Sequence, residues 1–279
     1  MKLSVFTDEI SPDAARAVDL AARWGIRHLE ARGLAGGRFP EVSDADLDTF
    51  HQTVVDAGLT ISGVSPGIAK IPVDHPAVVS LLTTTLPRAC LWAQDWGTDL
   101  VSCFAFQRQG SGRAPSQVVE TLARMAEIAH TNDCRLVLEN EAGCWAGTGL
   151  EAAEIAARVG PVPVRLAWDP ANAARAGSLH PFPDEYEQIR DLVEHVHLKN
   201  YDARSGEWSL LERGVVDWSG QLAALERDGY AGYGVIETHL ATLPRWLEDG
   251  DPEMTPLEVN TRRNLEFLRG RGIAVRPSV

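Results

Sequence analysis

The sequence predicts an α/β protein that folds as a single (β/α)8 barrel, and three observations support this prediction. Short apolar segments alternate eight times with amphipathic helical patterns, at spacings of roughly 30 residues. The chain has 279 residues, and barrels of this kind commonly form one domain of about 250. Asp8, Glu9 and Ile10 follow the first predicted strand, where a nucleotide-binding open sheet would have a glycine-rich turn. An open doubly wound sheet is therefore the less favoured alternative.

The first half of the chain contains four predicted strand–helix pairs. Ser11 and Pro12 supply the N-cap and first-turn signals of the first helix, and Ser43 caps the second, which ends at Gly58. The predicted strands span residues 2–7, 26–31, 59–64 and 100–106. The helices that follow them span residues 12–24, 44–57, 77–96 and 116–130.

The second half repeats the alternation. Its predicted strands span residues 135–139, 164–169, 195–199 and 233–238, and its helices residues 149–159, 184–192, 218–228 and 256–269. No linker or composition break divides the chain, so we predict one domain over residues 1–279. The long loops at residues 65–75 and 200–216 follow strands, at the barrel face that usually holds substrate contacts.

Composition restricts the classes of partner. The formal net charge is −13, which opposes binding to phosphate backbones, so we expect no nucleic-acid partner. No signal-peptide pattern follows Met1 and no apolar run approaches the ~18 residues of a membrane span. We expect a cytoplasmic protein without a membrane partner. The four cysteines form no CxxC pair, which favours reduced, buried thiols.

Four polar residues stand near the carboxyl ends of four consecutive predicted strands. They are Glu139, Asp169, His197 and Glu237. Burying a carboxylate there is costly unless a cation compensates it. Asp169 alone could cap a turn before Pro170, but four such residues on neighbouring strands indicate a shared metal ion. Oxygen donors with one imidazole and no thiolate suit one divalent ion: Mn²⁺, Co²⁺, Mg²⁺ or Zn²⁺ with open positions.

Side-chain alternation along a strand extends this prediction. If Glu139 points into the barrel, Glu141 does so too, and the same relation links His197 to Lys199 and Glu237 to His239. His195 lies one layer deeper than His197. We expect it to be a packed histidine and not a ligand.

These segments resemble the xylose-isomerase-like barrel superfamily, which contains sugar isomerases, ketose 3-epimerases, inosose dehydratases and the endonuclease IV branch. The resemblance rests on VLEN at 137–140, WDPAN at 168–172, HVHLKN at 195–200 and VIE at 235–237. Two further segments, FTDEIS at 6–11 and SPGIAK at 65–70, look like those of a group described only as sugar phosphate isomerase or epimerase.

The resemblance implies a reaction. In the epimerase branch the residues matching the four above bind the metal, and the two glutamates exchange protons with a substrate carbon. It thus predicts a metal-dependent isomerase or epimerase, acting on a small sugar or sugar derivative through a metal-stabilised enediolate, with Glu139 and Glu237 as acid and base. A dehydratase or lyase for a keto-sugar or keto-inositol is one alternative. A non-catalytic sugar- or metal-binding barrel is another.

Several residues are predicted to contact the substrate. These are Asn172, Lys199, Lys70, Trp145 and Glu141. Lys70 and Lys199 are two of only three lysines in the chain, and Trp145 could stack on a sugar face. Two positions depart from the family pattern: Asn172 replaces a usual histidine, and Asn200 an aspartate often found there.

The endonuclease IV branch is disfavoured on charge and composition. That branch needs a multi-metal site with many histidines and a basic DNA-binding face, whereas this chain has eight histidines and is strongly acidic. The predicted partner is a small sugar-like molecule. The oligomeric state is left open, with a homo-oligomer as one option.

Overall fold

Eight parallel strands close into a barrel in the computed structural model of the chain, as the sequence predicts. The structure describes residues 1–34, 36–244 and 253–273. The barrel strands are β1 Lys2–Phe6, β2 His28–Ala31, β3 Thr60–Val64, β4 Leu100–Cys103, β5 Arg135–Glu139, β6 Arg165–Trp168, β7 Val193–Leu198 and β8 Tyr233–Ile236. Each pairs in parallel with its neighbours in sequence, and β8 closes the barrel on β1 with Tyr233 opposite Lys2.

Helices surround the barrel at or near the predicted positions. The main ones are Ala14–Arg23, Asp44–Asp56, Ala77–Ser80 continued by Leu81–Thr85 and Leu86–Asp95, Ser116–Thr131, Gly149–Ala156, Pro181–Glu185 continued by Tyr186–Ile189 and Arg190–Leu192, Trp218–Arg227, and Pro256–Gly270. The Ser43 side chain caps the second of these helices, as predicted. The side chain of Thr148 forms a capping box with Glu151, and Thr255 does so with Glu258.

One predicted cap is wrong. Asp13, and not Ser11, caps the helix Ala14–Arg23, because its carboxylate accepts from the backbone N–H groups of Ala15 and Arg16. Ser11 instead ends a short helix at Thr7–Ile10 that the sequence did not predict.

The strands are shorter than predicted at several carboxyl ends. β4 ends at Cys103 instead of residue 106, because the chain leaves the sheet and Phe106 adopts a positive φ of 57°. The freed backbone forms short elements at the barrel mouth. They are the hairpins Gly33–Leu34 with Gly37–Arg38 and Asn200–Asp202 with Glu207–Ser209, and the helical turns Pro170–Arg175 and Leu211–Arg213.

Most buried apolar side chains of the described residues form one large cluster, and Leu100, Val137 and Ala167 form a separate small one. The four cysteines are free and buried. In the described residues, no helix has both the length and the apolar character needed to cross a membrane. Most of the buried polar side chains lie at or just beyond the carboxyl ends of the strands, which is where the candidate site lies.

Candidate metal centre and substrate cavity

Four side chains from four adjacent strands meet at the mouth of the barrel. Glu139 ends β5, Asp169 follows β6, His197 lies in β7 and Glu237 follows β8. One ligand-type atom from each lies within 4.8 Å of those from the other three. All four residues are buried, with Asp169 and His197 fully so. The structure thus brings together the four residues that the sequence predicted as metal ligands.

The donor set fits a divalent cation. Three carboxylates at such close range repel one another unless positive charge lies between them. Nε2 of the buried His197 has no hydrogen-bond partner among the described residues, and its Nδ1 lies 3.2 Å from Glu139 Oε1 without a well-formed hydrogen bond. Burial opposes protonation of His197, but the charge of Glu139 outweighs it and raises its pKa to about 9. The three carboxylates around His197 therefore favour the binding of positive charge, such as a divalent cation.

Lys199 already supplies one positive charge to this cluster. Its Nζ atom lies 2.9 Å from Asp169 Oδ2 and 2.9 Å from Glu237 Oε2, and only 2% of its side chain is exposed. Burial would lower the pKa of Lys199, but the carboxylates around it raise it above its usual value. The sequence predicted Lys199 as a substrate contact, whereas the structure places its ammonium among the predicted metal ligands.

Asn172 positions two of the same carboxylates. Its backbone N–H donates to Asp169 Oδ1 at 2.8 Å, and its side-chain Nδ2 donates to Glu139 Oε1 at 3.1 Å. Asn172 is fully buried. The amide of Asn172 therefore orients Glu139, and its contact with the substrate stays a prediction.

Asn200, the second departure from the family pattern, organises the loop at 200–216. Its Nδ2 donates to the carbonyl oxygens of Leu211 and Val216, and its Oδ1 accepts from the backbone N–H groups of Tyr201 and Val216. An aspartate could not donate those two hydrogen bonds. The asparagine is thus explained by local structure.

A network that the sequence did not predict surrounds Glu237. Arg32, just after β2, donates to Glu237 Oε1 at 2.6 Å, to Asp8 at 3.0 Å and to Glu9. His239 lies 2.9 Å from Glu237 Oε1 and 2.6 Å from Glu9 Oε1. Burial opposes the ionisation of Glu237, but the cations around it hold its pKa well below its usual value.

The two predicted catalytic glutamates therefore differ in their surroundings. Both oxygens of Glu237 contact cationic side chains, whereas Glu139 uses only Oε1 for its contacts with Asn172 and His197. Among the described residues, Glu139 Oε2 accepts no hydrogen bond. Burial opposes ionisation of Glu139, yet His197 lowers its pKa. Glu139 is thus ionised and has one open oxygen.

A cavity of about 450 Å³ opens onto this cluster. Its described lining residues are Phe6, Asp8, Glu9, Arg32, Arg38, Ser65, Lys70, Phe104, Glu139, Glu141, Glu237, His239, Ala241 and Leu257. Two predicted substrate residues, Lys70 and Glu141, lie in its wall and form an ion pair of 3.0 Å. Burial raises the pKa of Glu141.

Trp145, predicted as a substrate contact, lies outside the described lining of this cavity. It is buried beneath the guanidinium of Arg108, whose Cζ lies 5.0 Å from the ring centroid, and it is absent from the described lining of the cavity. Trp208 instead lies near the cluster, with its ring centroid 4.6 Å from Lys199 Nζ and 5.6 Å from the centroid of the His239 ring.

His195 lies below the cluster and is fully buried, as predicted. Its Nε2 is 2.7 Å from Glu30 Oε2, a partner that the sequence did not predict. Its ring packs edge-on against His197 with centroids 5.4 Å apart. The Glu30–His195 pair therefore holds in place the ring against which His197 packs.

Comparisons with known proteins agree with this architecture. A family model described as xylose isomerase-like TIM barrel matches residues 18–271. A probable endonuclease 4 from Symbiobacterium thermophilum is 28% identical over 230 residues, covering 79% of this chain and 78% of that protein.

Two solved structures share the fold at low sequence identity. D-allulose 3-epimerase from Methylomonas sp., in complex with D-allulose, gives a TM-score of 0.73 at 18% identity over 97% of each chain. A probable 3-DHS dehydratase from Bacillus anthracis gives 0.72 at 16% identity, over 96% of this chain and 99% of that one. At these identities the likeness concerns the fold alone.

Proposed function

The chain belongs to the xylose isomerase-like TIM barrel family, and on that basis we propose that it is a divalent-metal-dependent isomerase or epimerase for a small sugar or sugar derivative. The main support is the buried group of Glu139, Asp169, His197 and Glu237 opening onto a cavity of about 450 Å³. Structural neighbours include an epimerase in complex with its sugar.

These four residues would hold the metal ion. When bound, a divalent ion would stabilise negative charge on a substrate oxygen beside the carbon that loses a proton. The protein supplies rigidity for this task. Asn172 holds Asp169 and Glu139 by hydrogen bonds, and Arg32 and His239 hold Glu237.

Glu139 is the proposed base. It lines the cavity, its pKa is lowered and its Oε2 accepts no hydrogen bond among the described residues, so that oxygen can accept a proton from a substrate carbon. A glutamate tied by both oxygens would first have to break a contact.

Glu237 is the proposed partner that completes proton transfer. It follows β8 and Glu139 ends β5, so the two flank the group formed at the ends of the four adjacent strands. Because Glu237 is held as an anion, the proton that reaches the carbon would come from His239 Nε2 or Lys199 Nζ, each 2.9 Å from the Glu237 carboxylate, and would pass through that carboxylate. Removal of a proton from one face of the substrate carbon and return of a proton to the other face inverts the configuration at that carbon.

The test is incorporation of deuterium from D₂O into a panel of ketoses, keto-inositols and 3-keto-glycosides, with Mn²⁺ added. Exchange at a carbon next to the carbonyl, lost in Glu139→Gln with metal content retained, supports the proposal. Elemental analysis of the purified protein should show about one divalent ion per chain, since a single four-residue group is proposed to bind it. Bound metal with no exchange in any compound would instead favour a non-catalytic binding barrel.

A dehydratase or lyase is the second candidate, favoured by the fold shared with a probable 3-DHS dehydratase. The same proton removal would then be followed by loss of a β-hydroxyl group as water. A product with a new conjugated double bond, detected by its ultraviolet absorbance, separates this reaction from epimerisation. Because one relative is a probable endonuclease 4, the metal-loaded protein is also incubated with an abasic-site duplex to test for cleavage.

A further inference from the structure

We propose that the cavity also binds an anionic group of the substrate, a carboxylate or a phosphate, through the guanidinium of Arg38. This inference rests on the proposed function, because it names the class of substrate for the same cavity. It assigns the substrate two ends. The reacting carbons of the substrate would lie beside Glu139 and Glu237, and its anionic group would lie at the opposite wall of the cavity.

The cations around the cavity differ in what they already contact. Arg32 binds three carboxylates, Lys70 is paired with Glu141, and Lys199 contacts Asp169 and Glu237. Arg38 has no carboxylate within ion-pair distance in the described residues, and the one hydrogen bond of its guanidinium there is from Nη2 to the carbonyl oxygen of Ser65, at 3.3 Å. Of these cations, Arg38 alone is left to meet an external anion.

Local structure holds Arg38 at the cavity wall. It belongs to the hairpin strand Gly37–Arg38, and its guanidinium packs over Gly67 in the loop after β3. A Cβ atom at Gly67 would lie 2.4 Å from Arg38 Nε, and Gly67 has a φ of +70°. The glycine thus leaves the space that the guanidinium fills.

The barrel order places this wall across from the proposed metal ligands. Arg38 follows β2 and Gly67 follows β3, whereas Asp169 follows β6 and His197 lies in β7. In a closed barrel of eight strands, the second and third lie opposite the sixth and seventh. A guanidinium binds a carboxylate or a phosphate with two parallel hydrogen bonds, so Arg38 would orient the substrate along the cavity.

The experiment compares anionic probes with neutral counterparts by calorimetry. D-ribulose 5-phosphate is paired with D-ribulose, and D-gluconate with D-glucitol, on Mn²⁺-loaded wild type, Arg38→Met and Arg38→Lys. We expect one anionic probe to bind wild type about ten- to a hundredfold more tightly than its counterpart. Arg38→Met should reduce that ratio to about one, and Arg38→Lys should retain part of it. The phosphate and carboxylate probes distinguish the two sources of charge.

The matched control is Arg23→Met, which removes an exposed arginine from an outer helix and should leave the preference unchanged. His197→Ala separates this inference from the proposed function. A preference that depends on Arg38 and persists in His197→Ala supports the anion site even if no metal binds and no deuterium exchange occurs. An unchanged preference in Arg38→Met, or no preference for either anionic probe in wild type, overturns it.

Discussion

Replacing Lys199 with methionine removes the positive charge that lies among the proposed metal ligands. The buried carboxylate of Asp169 then loses its ion pair and keeps the hydrogen bond from Asn172 N–H, whereas Glu237 still contacts Arg32 and His239. Removing one partner of a buried ion pair typically costs about 3–5 kcal/mol. Since one of the two carboxylates remains compensated, we expect about 3 kcal/mol for the metal-free protein.

The assay is thermal unfolding of EDTA-treated Lys199→Met and wild type, followed by titration with Mn²⁺. A loss of this size corresponds to a fall in Tm of about 6–12 °C. Added metal should raise the Tm of Lys199→Met more than that of wild type, because the ion supplies the missing charge and no longer meets the ammonium. The size of this increase in Tm depends on the ratio of the free metal concentration to the Kd for the metal.

Lys70→Met is the matched control. Its ammonium also pairs with a cavity glutamate, but the side chain is 52% exposed, so its loss should cost less than about 1 kcal/mol. Equal Tm values for the two variants would refute the compensating role of Lys199. If added metal raised the Tm of Lys199→Met and of wild type equally, the idea that the Lys199 ammonium and the metal ion compensate the same carboxylates would be refuted.

The other expectations concern metal, catalysis, packing and partners. His197→Ala should lose the bound metal in elemental analysis, because it removes the nitrogen donor of the proposed ligand set. Glu139→Gln and Glu237→Gln should lower turnover by roughly 10²- to 10⁴-fold while retaining most metal, and equal full activity in both would leave them as ligands only. Gly214→Ala should destabilise the protein by about 1–3 kcal/mol in urea unfolding, because its Cβ would lie 2.0 Å from a buried amide oxygen. Gly160→Ala, where the added Cβ meets nothing within 4 Å, is its control. Abasic-site DNA should show no binding or cleavage at physiological salt, and cleavage at low enzyme concentration would make the endonuclease relationship functional.

The barrel could be predicted from the sequence because its signal is local and repeated. Each strand is a short apolar run followed by a helix with its own cap, and Ser43 shows how a single side chain marks a boundary. The ends of strands were harder to predict, because apolar residues continue beyond the last barrel hydrogen bond. Phe106 is buried in a loop with positive φ, and nothing in its local pattern separates it from β4.

The candidate ligands could be predicted for a related reason, since each stands at a strand end and the barrel order makes those ends neighbours. Arg32 could not be found in this way. Its contact with Glu237 joins residues 205 positions apart, and a charged residue after a strand is ordinarily solvated. The hydrogen bond from Asn172 to Glu139 could not be predicted either, because it joins side chains from two different strand ends.

Glu139 and Glu237 have equivalent places in the sequence pattern, but the structure gives them different surroundings. A carboxylate whose two oxygens contact cations is stabilised as an anion and is a weak base, whereas one with an unpartnered oxygen can accept a proton without breaking a contact. The contacts that weaken Glu237 as a base, from His239 and Lys199, are also those that can return a proton through it. A reaction that inverts a carbon centre needs two such unlike groups. Retention of partial solvent exchange by Glu237→Gln, together with loss of the inverted product, is therefore the pattern that this asymmetry requires.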